Sequence, residues 1–195
     1  MKIDSAWSLF LDRDGVINQR IVDDYIKVCD EFVFMPHAEE TIAYFRQIFK
    51  YIFVVTNQQG IGKGLMTEHD LTLVHQKMQE ELATHNKTNL PIINHIFHCP
   101  SLKSANDINR KPQIGMALQA KTMFQDIDFQ KSVMIGDSVS DMEFGKKAGM
   151  STIFFGTEAV TQNEKQWIDF QCKDWEEVRN LLALCSSVGT SRHWQ

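Results

Sequence analysis

The sequence predicts an α/β fold, a Rossmann-like three-layer α/β/α sandwich with a mostly parallel central sheet, from three observations. Short apolar runs rich in β-branched residues alternate with stretches of helical periodicity. The three clearest runs end in polar residues, at Asp12-Arg13-Asp14, Thr56-Asn57 and Gly136-Asp137, where an open α/β sheet places its ligands. No insertion is long enough to form a separate cap domain, so the site should stay open.

In chain order, Leu9-Phe10-Leu11 marks a strand over 8–11 and is followed by a helix near 37–49. Strands over 51–55, near 93–98, over 133–136 and over 152–155 are separated by helices near 68–86, 114–125 and 140–148. A weaker last unit has a short strand around 168–170 and a helix over 174–184. Thr67-x-x-Asp70 forms a capping box ahead of Leu71, Val74 and Met78, which recur at helical spacing. Ser138-x-x-Asp141 has the same form. Trp7, Phe10 and Phe53 read as core. Residues 1–185 are expected to be one domain, with 186–195 as a flexible tail.

Composition narrows the function classes. The chain has 195 residues, 43% hydrophobic, with a formal net charge of −5. That charge, without any basic run, argues against nucleic acid as a partner. Four scattered cysteines, Cys29, Cys99, Cys172 and Cys185, encode neither a disulfide framework nor a closed zinc site. With no long apolar segment to insert in a membrane, the expected location is the cytoplasm.

Two acids one residue apart at the end of a central strand need a cation or a proton to offset their burial. Asp12 and Asp14 therefore point to a metal. The 18–36 connection, carrying Arg20, Asp23, Asp24, Tyr25, Lys27 and Asp30, is long enough to be a binding element. Of the histidines, His95 and His98 share a strand and His75 lies on a helix; all three read as packed or solvated rather than as ligands.

Asp-Arg-Asp-Gly-Val-Ile-Asn at 12–18, Val-Val-Thr-Asn-Gln at 54–58, Gly-Ile-Gly-Lys-Gly at 60–64, Arg-Lys-Pro-x-x-Gly-Met at 110–116 and Gly-Asp-Ser-x-x-Asp-Met at 136–142 occur in this order. Together they resemble the motifs of the haloacid dehalogenase-like superfamily of phosphohydrolases. They are most similar to its branch of D,D-heptose 1,7-bisphosphate phosphatases and histidinol-phosphate phosphatases. The resemblance covers residues 8–155. It implies that Asp12 is the nucleophile that forms an aspartyl-phosphate and that Asp14 is the general acid and base. Thr56 would hold phosphoryl oxygens, and Lys111 would neutralise both the phosphoryl group and Asp12. Asp12, Asp137 and the backbone carbonyl of Asp14 would bind Mg²⁺, an ion that favours oxygen ligands. Asn57, Arg110 and Lys63 would contact substrate, although Lys63 also reads as a solvated lysine. Asp141 either caps its helix or orients Lys111 or a metal-bound water.

Many relatives in this branch carry a zinc loop, Cys-x-His followed by Cys-x-Cys, just before the Arg-Lys-Pro. Here those positions hold Cys99, Ser101, Asp107 and Asn109, so no structural zinc is expected and the 100–109 loop must order itself by hydrogen bonding and packing. The expected partner is a small phosphorylated metabolite, foremost a sugar bisphosphate, in carbohydrate metabolism. Histidinol phosphate or another small metabolite is the enzymatic alternative. A receiver-like phospho-acceptor switch is the alternative of a different class.

Overall fold

The computed structural model describes residues 1–86 and 91–186, so the expected tail lies outside the described residues except for Ser186. Strands β1 (Ser8–Leu11), β2 (Tyr51–Asn57), β3 (His95–Cys99), β4 (Ser132–Gly136), β5 (Ser151–Phe155) and β6 (Phe170–Cys172) form one sheet in the order β3-β2-β1-β4-β5-β6. Every neighbouring pair is parallel. The helices are α1 (Ala38–Phe45), α2 (Gln59–Gly62), α3 (Glu68–Thr84), α4 (Gly115–Met123), α5 (Val139–Ala148) and α6 (Trp175–Cys185).

Side-chain alternation divides the core into two layers. Leu9, Leu11, Ile52, Val54, Val133 and Ile135 face the layer that contains Ile42 of α1, Val74 and Met78 of α3, and Val178 of α6. Phe10, Phe53, Val55 and Met134 face the opposite layer, which contains Met116 and Ala120 of α4 and Phe144 of α5. A sheet covered on both faces explains why its strands read as continuous apolar runs. Trp175, fully buried at the start of α6, lies against Phe45 and Phe155 and donates its indole N–H to Val16 O at 2.9 Å. This bond fixes the segment just after Asp14.

Differences from the expected elements have local causes. The first helix stops at Phe45 because the chain tightens into turns, Gln47 N–H to Tyr44 O and Ile48 N–H to Phe45 O, while Arg46 donates to the Phe49 and Lys50 carbonyls. The last strand shifts to Phe170–Cys172. Asp169 just before it is engaged with Thr152, accepting from its N–H at 2.9 Å and donating its own N–H to the hydroxyl. The glycine-rich segment after β2 contains a one-turn helix, α2, that its glycines concealed. Both capping boxes form, at Thr67/Asp70 and Ser138/Asp141.

The chain leaves β1 outward to β2 and β3, then returns to β4 on the other side. The order therefore reverses at β1, and the carboxyl ends of β1, β2 and β4 open into one crevice, the usual ligand position in open α/β sheets. No helix among the described residues is long and apolar enough to cross a membrane.

Candidate active site

Asp12 continues β1 and Lys111 arrives on the loop between β3 and α4. Lys111 Nζ lies 2.7 Å from Asp12 Oδ1, 2.6 Å from Asp141 Oδ1 and 2.7 Å from the Val55 carbonyl. Asp137 follows β4, and its carboxylate lies within 4.8 Å of those of Asp12 and Asp141. Asp141 thus contacts Lys111 with one oxygen, while its other oxygen accepts from Ser138 Oγ at 2.6 Å in the capping box of α5.

Asp14 is turned away from this cluster. Arg13 Nη2 donates to both of its oxygens, at 2.9 and 3.0 Å, and Arg13 Nε, Asn18 Nδ2 and Gln58 Nε2 complete the cradle. Gln58 Nε2 also donates to Thr56 Oγ1 at 2.8 Å, tying Asp14 to the end of β2. Gly15 makes the turn after Asp14 with φ +91°, and a Cβ there would stand 2.0 Å from Asp137 Oδ2. Only glycine allows both that backbone and that approach.

Asp12, Asp14, Thr56, Asn57, Lys111, Asp137 and Asp141 line a cleft of about 280 Å³ together with Arg20, Asp24, Tyr25, Arg110 and Ser138. The 18–36 loop thus forms one wall, and Arg20 reaches Asp137 at 3.4 Å. Thr56 is buried at the cleft's floor. The Asn57 amide is spent on Lys111, accepting from its N–H at 3.0 Å and donating to its carbonyl at 3.2 Å. Lys63, expected to contact substrate, is exposed outside the lining, with its ammonium 5.2 Å from the centre of the Tyr25 ring.

The electrostatics show what the cluster lacks. Burial raises the proton affinity of Asp12; Lys111 opposes the rise, while Asp141, Asp137 and Asp14 add to it. Burial and Asp141 likewise push Asp137 up to about 6. Lys111 goes upward, because Asp12 and Asp141 outweigh its burial. Three carboxylates thus converge on one buried ammonium, an oxygen-rich, charge-deficient site suited to a hard divalent cation. Asp14 differs. Burial alone would raise it, but the Arg13 charge and the bonds from Asn18, Arg13 and Gln58 hold it below the usual carboxylate range.

A HAD-hydrolase-like family model matches residues 108–177. A Campylobacter jejuni protein named D-glycero-alpha-D-manno-heptose-1,7-bisphosphate 7-phosphatase is 37% identical over 177 residues, covering 90% of this chain and 95% of that protein. The chain belongs to the HAD-like hydrolases, among their phosphatases. A Mycobacterium bovis protein of the same name is 39% identical over 137 residues, 70% of each chain. The crystal structure of D,D-heptose 1,7-bisphosphate phosphatase from B. bronchiseptica, complexed with magnesium and phosphate, superposes with a TM-score of 0.78 at 27% identity, over 94% of this chain and 99% of that one.

In this HAD-like phosphatase the loop before Arg110 is organised around Asp107. Ser101 Oγ donates to Asp107 Oδ2 at 2.5 Å and Asn109 N–H to Oδ1 at 2.8 Å. Arg110 closes the loop, donating from its guanidinium to Ser101 O and from its backbone to Asp107 O. The residues missed from sequence are Arg13, Asn18, Gln58 and Arg20. Each had a signal that named no role: Arg20 stands in the long loop, and Arg13, Asn18 and Gln58 stand inside the motifs at 12–18 and 54–58.

Proposed function

We propose that this phosphatase removes the 7-phosphate of D-glycero-D-manno-heptose 1,7-bisphosphate, with Mg²⁺ and through an aspartyl-phosphate on Asp12. The observation that carries the mechanism is the convergence of Asp12, Asp137, Asp141 and Lys111 at the switch point of the sheet. The substrate assignment is supported by relatives that carry this activity in their names, at 39% and 37% identity.

Asp12 attacks phosphorus with one carboxylate oxygen. Lys111, held by Asn57 and Val55 O, neutralises the phosphoryl oxygens and keeps Asp12 oriented. Thr56 donates its hydroxyl to a phosphoryl oxygen. Asp14, in its protonated form, gives its proton to the departing sugar alkoxide; as a carboxylate, it then takes a proton from the water that cleaves the acyl phosphate. Asp12, Asp137 and the Asp14 carbonyl would hold Mg²⁺, with Asp141 next to them; when bound, the ion offsets the negative charge that otherwise repels the nucleophile. Arg110 and the 18–36 loop face the rest of the sugar. Four free cysteines fit a reducing cytoplasm.

The deciding experiment is turnover with Mg²⁺ on both anomers of heptose 1,7-bisphosphate, heptose 7-phosphate and histidinol phosphate. Highest efficiency on one of the bisphosphates is expected. Preference for histidinol phosphate would overturn the substrate and leave the mechanism standing; a long-lived phosphoprotein without turnover would favour the switch.

A further inference from the structure

His75 is a buried, titratable side chain on α3, a helix that contributes nothing to the lining of the cleft. Its Nε2 lies 3.1 Å from Arg13 Nη1. Arginine can only donate, so Nε2 accepts and the imidazole is neutral. Burial, the Arg13 charge and His98 lower its pKa to about 3, which keeps the acceptor available at physiological pH. Arg13 itself is completely buried. A guanidinium so placed must have its N–H groups paired, and these are divided between His75 on one side and the two oxygens of Asp14 on the other. Asp14 faces the cleft, whereas His75 does not.

We infer that His75 and Arg13 are positioning residues for the leaving-group step: His75 fixes the Arg13 fork, and the fork sets where the Asp14 carboxylate stands. This rests on the reading of Asp14 as the group that exchanges the leaving-group proton. The guanidinium is planar and its donors are rigidly disposed, so the orientation of one end determines that of the other. An apolar residue at 75 would fill the same space in the core but leave Arg13 with an unpaired donor and freedom to turn. Gln58 and Asn18 hold Asp14 from the remaining directions, so loosening the fork should displace the carboxylate without emptying the cradle.

The test compares wild type, His75→Leu, His75→Gln, Arg13→Lys and Asp14→Asn on an aryl phosphate, which needs little protonation of its leaving group, and an alkyl phosphate, which needs much. For His75→Leu, kcat on the alkyl phosphate should fall roughly 10-fold more than on the aryl phosphate, a fraction of the 10²–10⁴ supplied by a general acid or base. KM should hold, and His75→Gln, which retains an acceptor, should recover most of the loss. Equal losses on both substrates, or a glutamine variant no better than leucine, would overturn the inference and leave His75 a packing residue. Should His75→Leu not fold, Arg13→Lys, which keeps the charge but not the fork, makes the same comparison. Asp14→Asn separates the two readings. A strong leaving-group dependence there with none in the His75 variants rejects only the positioning role, whereas no dependence in Asp14→Asn rejects the acid and with it the device that aims it.

Discussion

Asp12 Oδ1 accepts a 2.7 Å hydrogen bond from Lys111 Nζ, joining residues 99 positions apart at the end of the central strand. The ammonium also serves Asp141, so the two partners are not equivalent: Asp12 has other carboxylates around it, and among the described residues Asp12, Asp137 and Asp141 have no other buried cation as close. Lys111→Met should therefore lower stability at neutral pH by about 3–5 kcal/mol in Mg²⁺-free buffer, the usual cost of stranding a buried charge. Asp12→Asn removes one of the crowded charges and should fold normally while turning nothing over, because an amide is not a competent nucleophile. Denaturant unfolding and turnover on both variants check this. Substantial activity in folded Asp12→Asn would remove it from the nucleophile's role.

The same crowding makes Mg²⁺ a stabilising ligand as well as a catalytic requirement. At 100 times its dissociation constant, a cation that binds only the folded state adds about 2.7 kcal/mol. The melting temperature should rise with added Mg²⁺ in wild type and respond far less in Asp137→Asn, whose side chain belongs to the carboxylate cluster. A chelator that removes zinc but spares Mg²⁺ should leave activity intact. An identical Mg²⁺ response in the two proteins would place the ion elsewhere.

His75 gives stability a pH dependence of definite sign. Its folded pKa, about 3, lies below its ordinary value of 6.5, so between these limits the unfolded chain binds more protons. Stability is complete above about pH 6.5 and is lost as pH falls towards 3, at up to about 1.4 kcal/mol per unit. Arg13 and His98 face the ring and reinforce the shift; Asp14 opposes it. His75→Gln should show a flatter profile in this window. Unfolding midpoints at pH 7.5, 6 and 5 provide the comparison, and parallel profiles would show that another group carries the slope.

Sequence carries the parts of this molecule that obey local rules. The strand runs, the helix caps at Thr67 and Ser138 and the positions of Asp12, Thr56 and Asp137 at strand ends follow from periodicity and capping patterns, and Lys111, on the loop before α4, from the order of the motifs. What it does not carry is the direction in which a polar side chain turns. Arg13, set between two acids, is wholly buried because Asp14 and His75, 62 residues away from it, pair its donors. Asn57 borders the cleft, and its amide also exchanges two hydrogen bonds with the backbone of Lys111, 54 residues away. Lys63 is flanked by glycines, and its ring partner, Tyr25, comes from a loop whose path sequence does not fix. Each outcome depends on long-range partners that no window of sequence contains.

Specificity should depend on how Arg110 is held. Its side chain borders the cleft, and its backbone and guanidinium both bond a loop whose centre is the Asp107 carboxylate. If Arg110 recognises the distal part of a bisphosphorylated sugar, a substrate without the distal phosphate should already bind less productively to wild type, since remote binding energy is used at the reacting centre. Arg110→Ala should narrow that gap while sparing a small aryl phosphate. Asp107→Asn should narrow it partially: the amide can still accept, but it loses the charge that strengthens the bonds from Ser101 and the Asn109 N–H, so the loop presents Arg110 less firmly. The measurement is kcat/KM on heptose 1,7-bisphosphate, heptose 7-phosphate and the aryl phosphate for the three proteins. Loss of aryl phosphate turnover in Asp107→Asn, matching its loss on the bisphosphate, would mean that the loop supports the whole site, Lys111 included, rather than the recognition of the substrate's far end.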